Sequence, residues 1–510
     1  MNGPPESLPQ PDSKDRASSM WVDEAIWGHR FYDEQLPWLV FLEFLNVFQY
    51  ESDHARAFQE PGGMNTLKYR AAHRLYLRNI LFNNPHLTEI RLAIPNDENR
   101  WEEWIKRMKA QGIDQADFSY LKNHFQSFDD FCEVVSLART TGIEAESNKR
   151  WTSKFVFPYG RNCLYEDLDQ NARTNDRRFF GRTGEILYLM LSRACRKNEL
   201  RVALADRLAA NDPTWDSIIK CLQPNDPTYM AAERAGAFLP YAHHPCFDEL
   251  AEDWLAVLKL RIPGFDVFPH LVSLAGLHLI RYQLIISGQI QMVPVHPRII
   301  CEAVAPRKTL VREISSGCYQ KNNLLPAEAV DTFISRIESS PDWKNALSME
   351  YPYEECKNIL REQAMWGDEY DGPPDPHQLM AALRSAAMKR HRQHAANIHR
   401  NYGREIGLVS RRGTNKLRYA PTDALLKTMI FANVESRTEL HQFLAKLQDR
   451  YGIVFGDKEA ESVLEKDEFD KKAFQANSLR LEQRLGSIGL LRRLSDGCAY
   501  VVNPYSSEAK

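Results

Sequence analysis

Residues 490–502 read LLRRLSDGCAYVV, in which Leu490 to Leu494 and Ala499 to Val502 flank Ser495, Asp496, Gly497 and Cys498. Asp-Gly between apolar runs is a strong hairpin signal, because glycine takes the positive φ that a tight turn between strands requires. Upstream the apolar spacing becomes helical. Helices are expected over Thr422 to Ala432, over Ser436 to Tyr451 with Gly452 at its end, and from Phe469 to about Leu485. Three helices followed by a β-ribbon is the winged helix-turn-helix order, in which the third helix enters the major groove. On that helix Phe474, Leu481 and Leu485 form the buried stripe, so Asn477, Arg480 and Arg484 are the expected base or phosphate contacts. The acidic stretch just upstream, from Asp457 to Asp470, would repel phosphate unless it points away. Such modules also dock proteins, so the order alone leaves DNA and a protein partner both open.

A basic segment precedes this module. Between Arg384 and Arg418 lie ten basic residues, Arg384, Lys389, Arg390, Arg392, Arg400, Arg404, Arg411, Arg412, Lys416 and Arg418, against the single acid Glu405. Leu379, Leu383, Ala387, Ala395 and Ile398 give only a thin apolar stripe, so much of the helix is expected to face solvent. Lys389, Arg390, Arg392, Arg400, Arg411 and Arg412 are accordingly expected to follow a phosphate backbone or to dock on an acidic neighbour.

A second basic cluster lies mid-chain, where Arg173, Arg177, Arg178 and Arg182 crowd around Gly181 and Gly184 ahead of a helical run from Glu185 to Arg196. A glycine-bearing basic loop opening a helix can hold an anion on its free N–H groups, which makes Arg177, Arg178, Arg182 and Gly184 an expected anion site. Neither the order of a P-loop nor that of a dinucleotide fold is present. The competing reading pairs these arginines with nearby Glu166, Asp167, Asp169 and Asp176.

The rest of the chain reads as helical core. Phe41, Phe44, Leu45 and Phe48 fall at helical spacing behind Pro37, as do Trp101, Trp104, Ile105 and Met108 behind Asp97, a candidate cap. A third run, Phe128 to Ala138, follows Ser127. Aromatic stripes of this kind are core packing far more often than stacking platforms. Phe155 to Phe157 reads as a short strand stopped by Pro158 and Gly160, and helices are expected at Leu200 to Ala209, Trp215 to Leu222, Phe247 to Leu260 and Pro269 to Ser287. The whole is expected to be mainly α: a disordered tail at 1–19, an aromatic-rich helical domain at 20–145, a second helical domain at 146–366, a linker at 367–376, the basic helix and its connection at 377–418, and a winged-helix-like module at 419–505.

Composition narrows the function classes. Over 510 residues, 43% are hydrophobic and 26% charged, and the net charge of −3 exerts no global pull toward nucleic acid or membrane. Leu36 to Phe48 and Leu271 to Ser287 are apolar, but the first is short and carries Glu43 and the second carries His278 and Arg281, so both read as core helices with no membrane partner. Nine scattered cysteines without a CxxC pair fit reduced thiols in a cytoplasmic protein. His243, His244, Cys246, Asp248 and Glu249 are the nearest approach to a metal cluster, but their spacing is not that of a metal site, and a helix cap or loop fits them better. No metal and no cofactor are expected. HExxH, GxSxG and the kinase motifs are absent, and Asp457 with Lys458 sits in a solvated acidic run.

Phe179, Gly181, Arg182, Gly184, Glu185 and Tyr188, together with Leu490, Arg493, Leu494, Ser495, Asp496, Tyr500, Val501, Asn503 and Pro504, resemble bacterial proteins of multi-gene phage-defence operons, particularly methylation-associated defence systems. The resemblance carries over no catalytic residue. It implies a cytoplasmic subunit acting beside a DNA methyltransferase, an ATPase and a nuclease encoded by neighbouring genes. The expected function is thus a non-catalytic accessory subunit of a DNA-targeting complex. The alternatives are a divergent metal-dependent nuclease and a winged-helix transcriptional regulator.

Overall fold

The helix Pro37–Asp53 forms where the aromatic spacing places it, with Pro37 in the first turn, where a missing N–H breaks no helical bond. Phe41, Phe44, Leu45 and Phe48 are all buried. This computed structural model describes residues 7–8, 22–59, 66–70, 72–110, 117–144, 154–165, 181–209, 213–224, 229–230, 236–292, 297–411, 416–495 and 498–506. Against the first long helix lies Thr183–Ser192, every residue of which is buried. The approach is close enough to demand glycine: a Cβ on Gly184 would sit 2.5 Å from that of Glu43 and 2.6 Å from the Val40 carbonyl oxygen.

The centre of the molecule is the helix Phe268–Gln291, flanked by Pro245–Leu258 and the thirty-residue Leu310–Ser339. Residues Gly264–Gln291 are long and apolar enough to cross a membrane, and 94% of the apolar window is buried inside the protein, as expected for a core helix. One continuous apolar core runs from Val22 to Val501 and takes side chains from the N-terminal, central and C-terminal helices alike. A second cluster joins Trp101, Trp104, Phe128 and Phe131, with Trp101 meeting Phe128 edge-on at 5.1 Å. The aromatic stripes are core packing.

Caps follow local chemistry. Ser127 accepts from the Asp130 N–H at 3.1 Å and opens Phe128–Thr140. Asp97 does not cap Asp97–Ala110: Asn96 accepts from the Asn99 N–H, while Asp97 receives the Phe128 N–H at 2.8 Å and ties the two helices together. His244 opens Pro245–Leu258 by accepting from the Cys246 N–H, in keeping with a capping role for this stretch. The stretch 367–375 is non-helical and joins Pro352–Ala364 to Pro376–His394, both of which feed the main core. Of the tail at 1–19, Ser7 and Leu8 are described, and they pair with Tyr241 and Pro240; the remainder lies outside the described residues.

The sheets are small. Lys154–Val156, the expected strand, pairs antiparallel with Gly142–Glu144. Toward the C-terminus come the helix Asp423–Asn433, the strand Arg437–Glu439, the helices Leu440–Tyr451, Asp457–Val463 and Lys471–Ser487, and the strands Leu491–Ser495 and Cys498–Val502. The strand Cys498–Val502 lies between the other two and is antiparallel to both. The two hairpin strands stand as expected, although the Asp496-Gly497 turn lies outside the described residues. Ser436 to Glu439 departs from the expected helix because Thr438 and its neighbours pair with Tyr500, Val501 and Val502. Gly452, at φ 71°, ends the following helix in the left-handed region.

Candidate nucleic-acid interface

The mid-chain loop binds an anion that belongs to the chain itself. Glu43, fully buried on Pro37–Asp53, accepts the Gly184 N–H at 2.8 Å, the Arg182 N–H at 3.2 Å and the Gln35 side-chain amide at 2.8 Å. Gln35 in turn accepts the Thr183 N–H at 3.0 Å. The positive end of Thr183–Ser192 is thereby filled by a carboxylate about 140 residues away in sequence, which leaves no opening there for an external phosphate. Arg182 also reaches buried Glu185 at 3.3 Å, so Arg182 and Gly184 serve the interior instead of a ligand. Arg177, Arg178 and the acids expected to pair with them lie outside the described residues.

The basic segment divides into cations that hold the fold and cations that face solvent. Arg390 reaches buried Glu24 at 2.6 Å. Burial pushes the Glu24 carboxyl up, but His29 and Arg390 together hold it down at about 2. Arg384 spans Asp331 and Glu338 on the neighbouring helix, and Arg418 is buried against Glu302. Lys389, Arg392, Arg400, Arg404 and Arg411 remain exposed. Lys389 and Arg392 are three residues apart on Pro376–His394 and share one side of it. Arg412 lies outside the described residues.

The C-terminal helix does not present the residues expected of it. Asn477 is fully buried, accepting the Ala303 N–H at 2.8 Å and donating to the carbonyls of Cys301 and Phe455, so it cannot reach a base. Arg480 leans on the Ala303 carbonyl at 3.4 Å, and Arg484 is spent on Asp423 and the Pro421 carbonyl. The outward face of Lys471–Ser487 instead carries Lys471, Lys472, Gln475, Ala476, Leu479 and Gln483. Comparison with protein-family models, curated proteins and solved structures finds no match.

An extended polar cluster lies behind these surfaces and has no signature in the sequence. Asp253, fully buried, receives His278 Nε2–H at 2.7 Å, the Tyr451 hydroxyl at 2.7 Å and the Arg450 guanidinium. Burial lowers the His278 pKa, so the ring is neutral, and its Nδ1 accepts from Arg281 at 3.2 Å. Arg281 also donates to Glu249 at 2.6 Å, and Asn433 donates to the Tyr451 hydroxyl at 2.7 Å. Burial raises the Asp253 carboxyl, but its three donors bring it below the ordinary value. Four helices, Pro245–Leu258, Phe268–Gln291, Asp423–Asn433 and Leu440–Tyr451, are joined here by side-chain hydrogen bonds.

The residues read as a loose metal cluster separate. His244 and Cys246 are buried, and Glu249 belongs to Arg281. His243 and Asp248 stay together at 2.7 Å and are joined by Cys195, whose Sγ is 3.7 Å from the same His243 nitrogen. Among the described residues this is the one Cys/His/carboxylate group with its ligand atoms within 4.8 Å of one another. It is one ligand short of a closed tetrahedral zinc site. The Asp248 carboxylate raises the Cys195 thiol, the reverse of what an activated nucleophile needs.

Proposed function

We propose that this chain is a non-catalytic accessory subunit of a bacterial DNA-targeting phage-defence complex, acting in the cytoplasm beside partners such as a methyltransferase or an ATPase. The observation that carries the DNA-contacting part is the exposed set Lys389, Arg392, Arg400, Arg404 and Arg411, left facing solvent after Arg390 and Arg418 are committed to buried carboxylates and Arg384 to the surface carboxylates of Asp331 and Glu338. Arg392 and Arg400 each give one Nε–H to a neighbouring oxygen, of the Met388 carbonyl and the Asn401 side chain, and an exposed cation not paired with a buried carboxylate is available to phosphate. The subunit role rests on the sequence resemblance.

Residues 423–502 follow the order helix, strand, helix, helix, hairpin, with one short strand, Ile453–Val454, and one short helix inserted, and this order supports a winged-helix-like reading of the module. Its outward face is only weakly basic, and Leu479 and Leu494 are 48% and 69% exposed. That composition favours a protein partner on the module and DNA on the basic segment.

The test is binding of the full chain to labelled duplex DNA across a salt series, against a variant with Lys389, Arg392, Arg400 and Arg411 changed to Ala. Each phosphate that the variant no longer neutralises should flatten the slope of log affinity against log salt by about 0.9. Absence of binding at low salt, or an unchanged slope in the variant, overturns the DNA assignment.

A further inference from the structure

The helix Leu310–Ser339 and the strand Arg418–Tyr419 border a cavity of about 410 Å³, within the range of small-molecule sites. Its lining includes four cations, Lys308, Arg312, Lys416 and Arg418, and one acid, Glu313, which already pairs with Lys308 at the rim. Behind the wall, fully buried Glu302 takes Arg312 Nε at 2.9 Å on one oxygen and Arg418 Nε on the other. Four cations against the two carboxylates Glu302 and Glu313 leave an excess of two positive charges.

The deciding feature is Arg418. Its side chain is 1% exposed, yet among the described residues no acceptor meets its Nη1 or Nη2. Guanidinium donors buried without acceptors are costly, and folded proteins rarely leave them so. Glu302 fixes Nε and thereby orients the planar fork, leaving its two terminal nitrogens for a second oxyanion in bidentate geometry. Arg312 is held in the same way by Glu302 and by the Ala305 carbonyl at 2.7 Å. The flexible ends of Lys416 and Gln320, both exposed, stand at the mouth, where they can shift to admit a ligand.

We infer that this cavity binds a phosphate group, with Arg418 and Arg312 as the preset floor and Lys416 and Lys308 as the mobile rim. The group arrives on a small phosphorylated molecule of nucleotide size or on a nucleic-acid end. The inference stands apart from the DNA reading above, which concerns other residues.

The experiment titrates the full chain with inorganic phosphate by calorimetry and by thermal unfolding, with chloride at matched ionic strength as control. Phosphate should bind and raise the unfolding temperature with concentration, as a ligand of the folded state does. Lys308→Ala with Lys416→Ala, both at the rim, should fold normally and weaken binding about tenfold or more. Arg418→Lys should weaken it further. Adenosine monophosphate binding tighter than phosphate identifies a nucleotide source; a 5′-phosphorylated duplex binding tighter than its unphosphorylated twin identifies a nucleic-acid end. No phosphate binding at millimolar concentration, or equal binding in the rim variant, overturns the inference. Neither result bears on the Lys389 and Arg392 salt series.

Discussion

Changing Glu185 to Gln should flatten the pH dependence of folding. Glu185 is fully buried one residue from the Gly184 contact, and burial raises its carboxyl from 4.5 to about 8, opposed by Arg182 and reinforced by the Glu43 charge. The folded pKa lies above the unfolded one, so the contribution to stability is fully present below about 4.5 and is lost as pH rises through about 8. Across that window the unfolded chain gives up its proton while the folded chain keeps it. A carboxyl raised from 4.5 to about 8 corresponds to an effect on the order of 4–5 kcal/mol. Glutamine has the shape of the protonated acid and never ionises, so the variant should match the wild type near pH 5 and exceed its stability by several kcal/mol near pH 8. Urea unfolding of the full chain, followed by tryptophan fluorescence at steps between these values, reads the difference. Parallel profiles for the two proteins would show that Glu185 is ionised in the fold and would refute the reasoning.

Gly184→Ala places a methyl group where Glu43 and the Val40 carbonyl already stand, and should cost about 1–3 kcal/mol in the same unfolding assay. Asp253→Asn removes the buried charge that Arg450 and its neighbours were built around and should cost about 3–5 kcal/mol; a midpoint shift equivalent to less than about 1 kcal/mol would mean the cluster is not energetically coupled.

Helices whose signal is local are readable from sequence. The ring spacing of Phe41 to Phe48, the Ser127 cap and the apolar run through Leu271 each carry their cause within one or two turns. The strand Arg437–Glu439 is not readable, since its residues show no alternation and its reason lies in Tyr500 to Val502. The candidate site is harder to read for the same physical reason. Charge along a sequence counts cations, but exposure depends on where the carboxylates end up. Glu24 removes Arg390 from across 366 residues, and Glu43 fills a helix terminus that looks vacant when Gly184 is read with its neighbours alone. Helical spacing puts Asn477 beside the apolar stripe, as the structure does, but that flank is covered by Cys301 and Ala303.

The Asp253 cluster also imposes an order of events during synthesis. Tyr451 and Arg450 follow Asp253 by almost 200 residues. At ribosomal speeds they emerge roughly 10–40 s later. Over that interval the helix Pro245–Leu258 has its carboxylate without its main cation, and the segment must stay hydrated there instead of closing into its final packing. The polar cluster at the centre of the fold is thus complete only once Arg450, its last charged member, and Tyr451 have been made.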